Sequence, residues 1–176
     1  PVTLGNDFEF EWTGSLSDAE YFGRIFANKS STNTEGLFEL FRNAQSNILR
    51  FAIYPNGAPR QESAYINFNF DGSVKTHKVT YNNGTFTYVV DDVTLYSNTF
   101  SAGNGFTGSD AFGIYSRVNG SNNCAGTLQN FKLTISGSTA FEYDFQSDIG
   151  TTTVQDLSTN DNDGTATIGT ADINTG

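Results

Sequence analysis

The sequence predicts an all-β protein, an antiparallel β-sandwich of jelly-roll type, and three observations support this class. Apolar and polar residues alternate in short segments such as "DFEFEW" and "YINFNF", a two-residue period typical of strands with one buried face. Asn-Gly, Asp-Gly and Asp-Asp pairs between the segments favour tight turns. Asn, Thr, Ser and Gly are abundant while Ala, Leu, Lys and Glu are scarce, which disfavours helices. Roughly ten such strands need a second sheet to cover their apolar faces.

The composition indicates one domain and argues against nucleic acid as a partner. The 176 residues are 36% hydrophobic and include 16 Phe and 8 Tyr, which is enough apolar mass for one core. A net charge of −10 repels phosphate backbones and anionic membranes. No run approaches the roughly 18 apolar residues of a membrane-spanning helix. Cys124 is the single cysteine, so no internal disulfide is expected.

The first half of the chain contains the strands whose alternation is clearest. Phe8, Phe10 and Trp12 fall on one face of the first expected strand, and Asp7, Glu9 and Glu11 fall on the other. Three further strands are expected near residues 21–27, 36–42 and 47–54, before a Pro-Asn-Gly turn at 55–57.

The second half of the chain continues the same pattern. Ile66, Phe68 and Phe70 alternate with polar residues before an Asp-Gly turn. Three strands are then expected around the turns at 82–84 and 91–92. A Gly-rich loop at 101–110 precedes three last alternating segments, "AFGIYSRV", "GTLQNFKLTISG" and "AFEYDFQ".

Four segments occur in an order that belongs to one lectin superfamily: "FEFEW", "GLFELFRNAQSNILRFAIY", "VKTHKVTYNNGTFTYVVDDVTLYS" and "FGIYSRVNGSNNCAGTLQNFKLTIS". The order of these four segments, over roughly residues 7–136, resembles that of the laminin-G-like and concanavalin A-like lectin superfamily. The resemblance implies the sandwich and its turns, and a structural role for His77, but it implies no chemistry. Thr76 stands where the family commonly has Trp, and Asp91–Asp92 replaces the usual Asp-Gly turn.

The C-terminal segment leaves two domain arrangements open. "YDFQSDIGTTTVQDLSTNDNDGTA" resembles the segment that usually opens a laminin-G-like domain, yet here it follows the rest. Residues 1–140 are expected to form the sandwich. Residues 141–176 either complete the same sandwich as a permuted first strand, which we favour, or begin a second repeat.

A loop near the C-terminus is a candidate calcium site. Asp156, Asn160, Asn162 and Asp163 place hard oxygen donors within eight residues, and Ca²⁺ prefers such ligands. The closing Glu of an EF-hand loop is absent. Asn and Asp also dominate tight turns through side-chain to backbone hydrogen bonds, so a plain turn explains the same residues. The adjacent pair Asp91–Asp92 is a second metal candidate.

Sugar recognition is the function that the side chains favour. Glycan-binding sandwiches stack aromatic rings on apolar sugar faces and hydrogen-bond the hydroxyls with Asn, Asp, Gln and Arg. The expected ligand-binding residues are Tyr54, Tyr65, Asn67, Asn69, Tyr88, Tyr115 and Arg117, with Arg50 and Tyr96 as further members of the set. A half-buried packing role is the alternative for each of them.

Catalysis is not expected from this sequence. Glycan hydrolysis needs two carboxylates roughly 5 to 10 Å apart, and Glu9 and Glu11 meet that spacing on one strand face. The Glu-x-Asp-x-x-Glu strand of the laminarinase-like hydrolases is absent, however. His77 is the only His, which excludes His-rich zinc sites. Glu9 and Glu11 are therefore expected on a solvated outer face.

Two functional classes follow from these observations. The first is a non-catalytic surface recognition module that binds carbohydrate or mediates adhesion, with a glycan or a surface protein as its partner. The alternative is a structural or decoration protein of a virus particle or a cell surface, which assembles with other surface subunits. The lack of a signal-like start, and Pro1 as a product of Met removal, favour this alternative. Both classes predict a location outside the cell or on a particle.

Overall fold

The computed structural model describes residues 2–17, 23–29, 34–42, 47–115, 124–147 and 153–165. These ranges contain sixteen strands. They also contain no apolar helix of membrane-crossing length. The strands are β1 (Val2–Gly5), β2 (Asp7–Ser17), β3 (Arg24–Ala27), β4 (Leu37–Arg42), β5 (Ile48–Tyr54), β6 (Gln61–Glu62), β7 (Ile66–Asn67), β8 (Asp71–Asn82), β9 (Thr85–Val90), β10 (Val93–Thr99), β11 (Phe106–Asp110), β12 (Gly113–Ile114), β13 (Gly126–Ile135), β14 (Ser138–Asp144), β15 (Thr153–Val154) and β16 (Gly164–Thr165).

Two antiparallel sheets of six strands form the body of the protein. Sheet I has the order β10-β9-β8-β2-β13-β14, and sheet II has the order β12-β3-β4-β5-β6, with β7 also paired to β5. Two short pairs, β1-β11 and β15-β16, accompany them. This architecture confirms the predicted all-β sandwich.

The core between the two sheets is mainly aromatic. Phe8, Phe10 and Trp12 are at most 2% exposed, so the predicted inward face of β2 is confirmed. Phe10 of sheet I stacks on Phe26 of sheet II with ring centroids 4.6 Å apart. Such contacts contribute about 0.5–1.5 kcal/mol each beyond the area they bury.

Three predicted elements differ from the observed ones. The expected loop at 101–110 contains strand β11, because Phe106 is buried against Phe8 and Tyr81 and draws the segment onto the sandwich. Of the expected strand "AFGIYSRV" the structure describes residues 111–115, in which β12 is the strand and Tyr115 follows it with a positive φ of 54°. In "YINFNF" only β7 forms a ladder, although Phe68 is buried as predicted.

Both predicted hairpin turns of sheet I are observed. Asn83 and Gly84 join β8 to β9, and Asp91 and Asp92 join β9 to β10, all four with positive φ. This conformation matches the twist of two-residue hairpins. The carboxylate of Asp91 also accepts a hydrogen bond from the backbone N–H of Thr76 at 2.9 Å, which gives Asp91 a structural role, and metal binding by Asp91–Asp92 stays a prediction.

The outer face of sheet II is partly buried. Leu37, Phe41 and Ala52 form a second, smaller apolar cluster there. Beside it, Arg24 Nε donates to Glu39 Oε2 at 2.9 Å, and the guanidinium lies 4.7 Å from the Phe41 ring centroid. Among the described strands of sheet II, the outer-face side chains that reach solvent lie on β5, β6 and β7.

The segment 153–165 packs along the edge strand β14. Val154 is 5% exposed and belongs to the main core cluster. The backbone N–H of Leu157 donates to the carbonyl of Glu142 at 2.8 Å, and the hydroxyl of Tyr143 donates to the carbonyl of Asn162 at 2.6 Å. The assignment of 141–176 to this domain stays a prediction.

Candidate functional site

Tyr65 is the only exposed aromatic side chain among the described residues. Its side chain is 60% exposed, whereas the other described aromatic residues are buried or half-buried. Removing a large ring from water is favourable, so a ring held at the surface has apolar area available for a ligand.

Strand pairing places Tyr65 on the outer face of sheet II. In the β5–β7 ladder, Leu49 pairs with Ile66, and both side chains point into the core. Side chains alternate along strands, so the neighbouring Arg50 and Tyr65 share the opposite, outer face. Glu62 of β6 pairs with Ala52 and lies on this face as well.

Arg50 contacts both Tyr65 and Glu62, and Glu62 also contacts a second arginine. The Arg50 guanidinium lies 5.1 Å from the Tyr65 ring centroid, within the range of a cation–π contact. Its Nη2 is 2.5 Å from Glu62 Oε2, and Arg60 Nη1 pairs with Glu62 Oε1. We refer to Arg50, Arg60, Glu62, Tyr65 and Asn67 as the Tyr65 patch.

Backbone contacts hold the Tyr65 patch in place. Ser63 exchanges hydrogen bonds with Phe51: its N–H donates to the Phe51 carbonyl and its Oγ accepts from the Phe51 N–H, both at 2.9 Å. The carbonyl of Ser63 accepts two bonds from Arg50, at 3.2 and 3.3 Å. The Tyr96 hydroxyl accepts from the N–H of Ala64 at 3.4 Å. The fold therefore holds the side chains of the Tyr65 patch largely in place.

The structure brings several predicted ligand residues to this edge. Tyr65 and Asn67 are exposed and lie beside Arg50 on the outer face. Tyr54 is on the same face of β5, half-buried against the second apolar cluster. Asn69 is exposed, and its Nδ2 donates to Asp71 Oδ2 at 2.9 Å. This hydrogen bond ties the Asn69 side chain to the start of β8.

For two of the expected ligand tyrosines, burial and hydrogen bonds favour the packing role that was the alternative. Tyr88 is 0% exposed and its hydroxyl lies 2.9 Å from His77 Nδ1, so it belongs to the core. Tyr115 is half-buried, and its hydroxyl donates to the carbonyls of Ser15 and Thr127, both at 3.1 Å. Burial raises the pKa of both phenols. Arg117 lies outside the described residues.

Arg60 and Glu62 were not predicted from the sequence. They stand in "APRQES", directly after a turn, in a chain with only 16% charged residues. Two opposite charges two positions apart would share a strand face, which is the one signal that could have indicated them.

The carboxylate of Asp156 in the candidate calcium loop is saturated by hydrogen bonds. Oδ1 accepts from the backbone N–H groups of Glu142 and Ser158, both at 2.9 Å. Oδ2 accepts from Ser158 Oγ at 2.7 Å and from the Asn162 N–H at 2.9 Å. Burial opposes ionisation of Asp156, but these bonds outweigh it and lower its pKa. Asp163 accepts from the Asp156 N–H at 2.9 Å.

The amides of this loop also bond to the protein itself. Asn160 Nδ2 donates to the carbonyl of Thr139 at 2.7 Å, and Asn162 Nδ2 donates to that of Ala140 at 2.9 Å. Over the ranges that the structure covers, no group of three or more His, Cys, Asp or Glu side chains is arranged to hold a metal ion. Calcium binding by Asp156, Asn160, Asn162 and Asp163 stays a prediction.

We expect Asp156→Ala to destabilise the protein by about 2 kcal/mol even in EDTA, because buried donors lose their acceptor. Thermal melts of both proteins in EDTA and in millimolar calcium measure this. A loss that appears only with calcium would show instead that the carboxylate acts through a bound ion. In that case the native protein would gain about 2.7 kcal/mol at a hundredfold excess over its dissociation constant.

The carboxylates considered for catalysis form ion pairs on the outer face of sheet I. Lys78 Nζ lies 3.1 Å from Glu9 Oε1 and 3.2 Å from Glu11 Oε2. The predicted solvent-facing placement of Glu9 and Glu11 is thus confirmed.

The His77 and Cys124 side chains are both uncharged at neutral pH. Burial lowers the pKa of His77 to about 4 and raises that of Cys124 to about 12.

An open groove is a second surface feature. It has a volume of about 640 Å³ and lies between β14 and the candidate calcium loop, with Glu142, Leu157 and Asn160 in its lining. Leu157 is 56% exposed. The described residues of its lining include no aromatic ring, so they offer less for stacking than the Tyr65 patch.

Comparison with known proteins gives similarity in structure only. No family model matches the chain, and no curated protein matches it. A candidate carbohydrate-binding protein from Bacteroides ovatus superposes with a TM-score of 0.66 at 16% identity, over 94% of this chain and 53% of that chain. Domains LG4-5 of the mouse laminin α1 chain give a TM-score of 0.57 at 14% identity, over 79% of this chain and 38% of that chain.

A third similar structure is the full-length tailspike protein 2 of the Escherichia coli O157:H7 bacteriophage CAB120. It gives a TM-score of 0.56 at 15% identity, over 76% of this chain and 20% of that chain. The present chain thus spans about half of the Bacteroides protein and smaller shares of the other two. At these identities the likeness concerns the fold, and it confirms the predicted laminin-G-like jelly roll.

Proposed function

We propose that the chain is a non-catalytic recognition module that binds carbohydrate through the Tyr65 patch. The observation that carries this proposal is a 60% exposed aromatic ring beside hydrogen-bonding groups that are already fixed by the fold. Surface sites of this composition suit sugars, which have both apolar C–H faces and polar hydroxyl groups.

The chemistry of the patch matches a pyranose ring. The C–H face of the sugar would stack on the exposed part of Tyr65, and aromatic contacts of this kind contribute about 0.5–1.5 kcal/mol beyond area burial. Arg50 and Asn67 would donate to hydroxyl oxygens, and Glu62 would accept from hydroxyl groups. Binding would require no rearrangement of the backbone, since the hydrogen bonds of Ser63 and Tyr96 hold the chain around Tyr65 in place.

The similar structures support the same function. The Bacteroides protein that shares the fold is a candidate carbohydrate-binding protein. The laminin domains and the tailspike are compatible with work outside a cell or on a particle surface, and we propose that location for this chain. A glycan or a glycosylated surface protein would be its partner.

A structural or decoration role on a virus particle is the second candidate, favoured by the fold shared with the bacteriophage tailspike. This role predicts a stable assembly with other surface subunits. Sedimentation of the chain with and without a bound glycan separates the two candidates. A stable assembly in both states would favour the structural role, whereas a recognition module needs no self-assembly to bind glycan.

A glycan array followed by titration calorimetry tests the proposed function. We expect Tyr65→Ala to weaken glycan binding at least about tenfold, or 1.4 kcal/mol, with an unchanged melting temperature because the ring is exposed. Tyr65→Phe, which keeps the ring, should bind almost normally.

Leu157→Ala is the matched control, because it removes an exposed apolar side chain at the groove beside β14. It should bind glycan like the native protein. Loss of binding in Leu157→Ala but not in Tyr65→Ala would move the site to the groove, and absence of any bound glycan on the array would refute the proposal.

A further inference from the structure

We infer that the Tyr65 patch selects neutral glycans, and that Glu62 is the residue that excludes acidic ones. This inference rests on the proposed function and adds the class of ligand to it. The carboxylate of Glu62 lies between Arg50 and Arg60, beside Tyr65. Tyr65 is the only exposed aromatic ring among the described residues.

Without Glu62, the patch would be a site for anions. Arg50 and Arg60 retain 23% and 28% of their side-chain exposure, whereas the described Arg24 and Arg42 are only 4% and 8% exposed. Two accessible guanidinium groups beside an aromatic ring are the arrangement that recognises carboxylate, sulfate or phosphate through paired hydrogen bonds.

Glu62 changes the charge and the hydrogen-bonding pattern of this arrangement. Its Oε2 pairs with Arg50 and its Oε1 pairs with Arg60, so the two guanidinium groups share one carboxylate partner and the three side chains carry a net charge of +1 instead of +2. An acidic sugar would have to compete with Glu62 for the same donors while lying within a few ångströms of its negative charge. Like charges brought together at an interface repel each other strongly, and specificity often depends on such a repulsive element.

The charge of the whole chain acts in the same direction. The net charge of −10 opposes the approach of an anion from a distance, although salt screens this contribution beyond about 8 Å. The repulsion from Glu62 itself is short-ranged and persists at physiological ionic strength. Both contributions therefore disfavour acidic glycans.

A neutral sugar fits the same groups without a conflict. Each hydroxyl both donates and accepts hydrogen bonds, so one of two adjacent hydroxyls can accept from Arg50 while the other donates to Glu62. The row of Arg50, Glu62 and Arg60 thus alternates donor, acceptor and donor beside the stacking surface of Tyr65.

The test uses an array of paired glycans, in which each neutral glycan stands beside its sialylated, sulfated or uronic-acid counterpart. The native protein should bind neutral members, and its affinity should change less than about twofold when salt is raised, because no net charge is paired on binding. Glu62→Gln should gain affinity for acidic members by at least about tenfold, and high salt should abolish that gain.

Glu11→Gln is the matched control. It makes the same change of charge at an exposed ion pair on the outer face of sheet I, away from the Tyr65 patch, and it should leave the preference for neutral glycans unchanged. Glu62→Ala serves as a second variant with the same expected direction, should Glu62→Gln lower the melting temperature.

Three results would overturn the inference. One is a native preference for acidic glycans that Tyr65→Ala abolishes, which would leave the proposed function intact and reverse the ligand class. Another is no gain for acidic glycans in either Glu62 variant. The third is the absence of binding to every glycan by the native protein and the Glu62 variants, which would refute the proposed function together with the inference.

Discussion

Replacing Trp12 with Ala is expected to lower the free energy of unfolding by about 3–5 kcal/mol. Trp12 is 0% exposed, and its ring stacks on His77 with centroids 4.6 Å apart and planes 2° from parallel. Phe26 and Phe131 pack against it at 5.9 and 6.1 Å. Truncation therefore removes contacts with both sheets and leaves a cavity that rigid aromatic neighbours cannot fill.

Chemical denaturation of the purified variant measures this loss. Val74→Ala is the control, since Val74 is 50% exposed on β8 and its truncation should change stability by no more than about 0.5 kcal/mol. A cost below about 1 kcal/mol for Trp12→Ala would contradict the burial of this face of β2 and indicate a shifted strand register.

Lowering the pH from about 6.5 to about 4 is expected to remove about 3 kcal/mol of stability through His77. Burial lowers the pKa of this imidazole from its ordinary value of 6.5 to about 4. Between these two values the unfolded chain binds a proton that the folded chain does not. Stability is therefore complete above pH 6.5, falls by up to about 1.4 kcal/mol for each pH unit, and levels off below pH 4.

Denaturation curves at a series of pH values between about 7.5 and 5 test this expectation. Above about pH 5 the low-pKa carboxylate of Asp156 stays ionised in the folded protein, so His77 dominates the slope. His77→Phe keeps the stacking on Trp12 and should show a nearly flat profile, although it loses the contact with the Tyr88 hydroxyl. A flat profile in the native protein would mean that the imidazole titrates at its ordinary value.

Most of the fold was predicted from the alternation of apolar and polar residues along the chain. Phe8, Phe10 and Trp12 could be assigned to the core from their spacing alone, because side chains on a strand point alternately to opposite faces. The Asn-Gly and Asp-Asp turns were equally local, since positive φ at these positions is a property of the residues themselves. These features need no knowledge of distant contacts.

The same rule could not separate binding tyrosines from core tyrosines. Tyr88 and Tyr65 are the same residue type and both stand in segments that were expected to be strands, yet Tyr88 is 0% exposed and Tyr65 is 60% exposed. The difference arises because Tyr88 lies between Trp12 and Phe51 inside the sandwich, whereas Tyr65 precedes the short edge strand β7. The local sequence around a residue does not show which distant element will cover it.

The sequence alone therefore determined the fold class, the inward faces of the strands and the hairpin turns, because these depend on periods and backbone preferences within a few residues. Only the tertiary structure decided the site. Arg50 and Glu62 are twelve positions apart in the chain, and they meet because Ala52 pairs with Glu62 across the β5–β6 ladder. Pairing between strands, the burial of the neighbouring outer face and the resulting charge pattern are properties of contacts distant in sequence, and they appear only when the chain is folded.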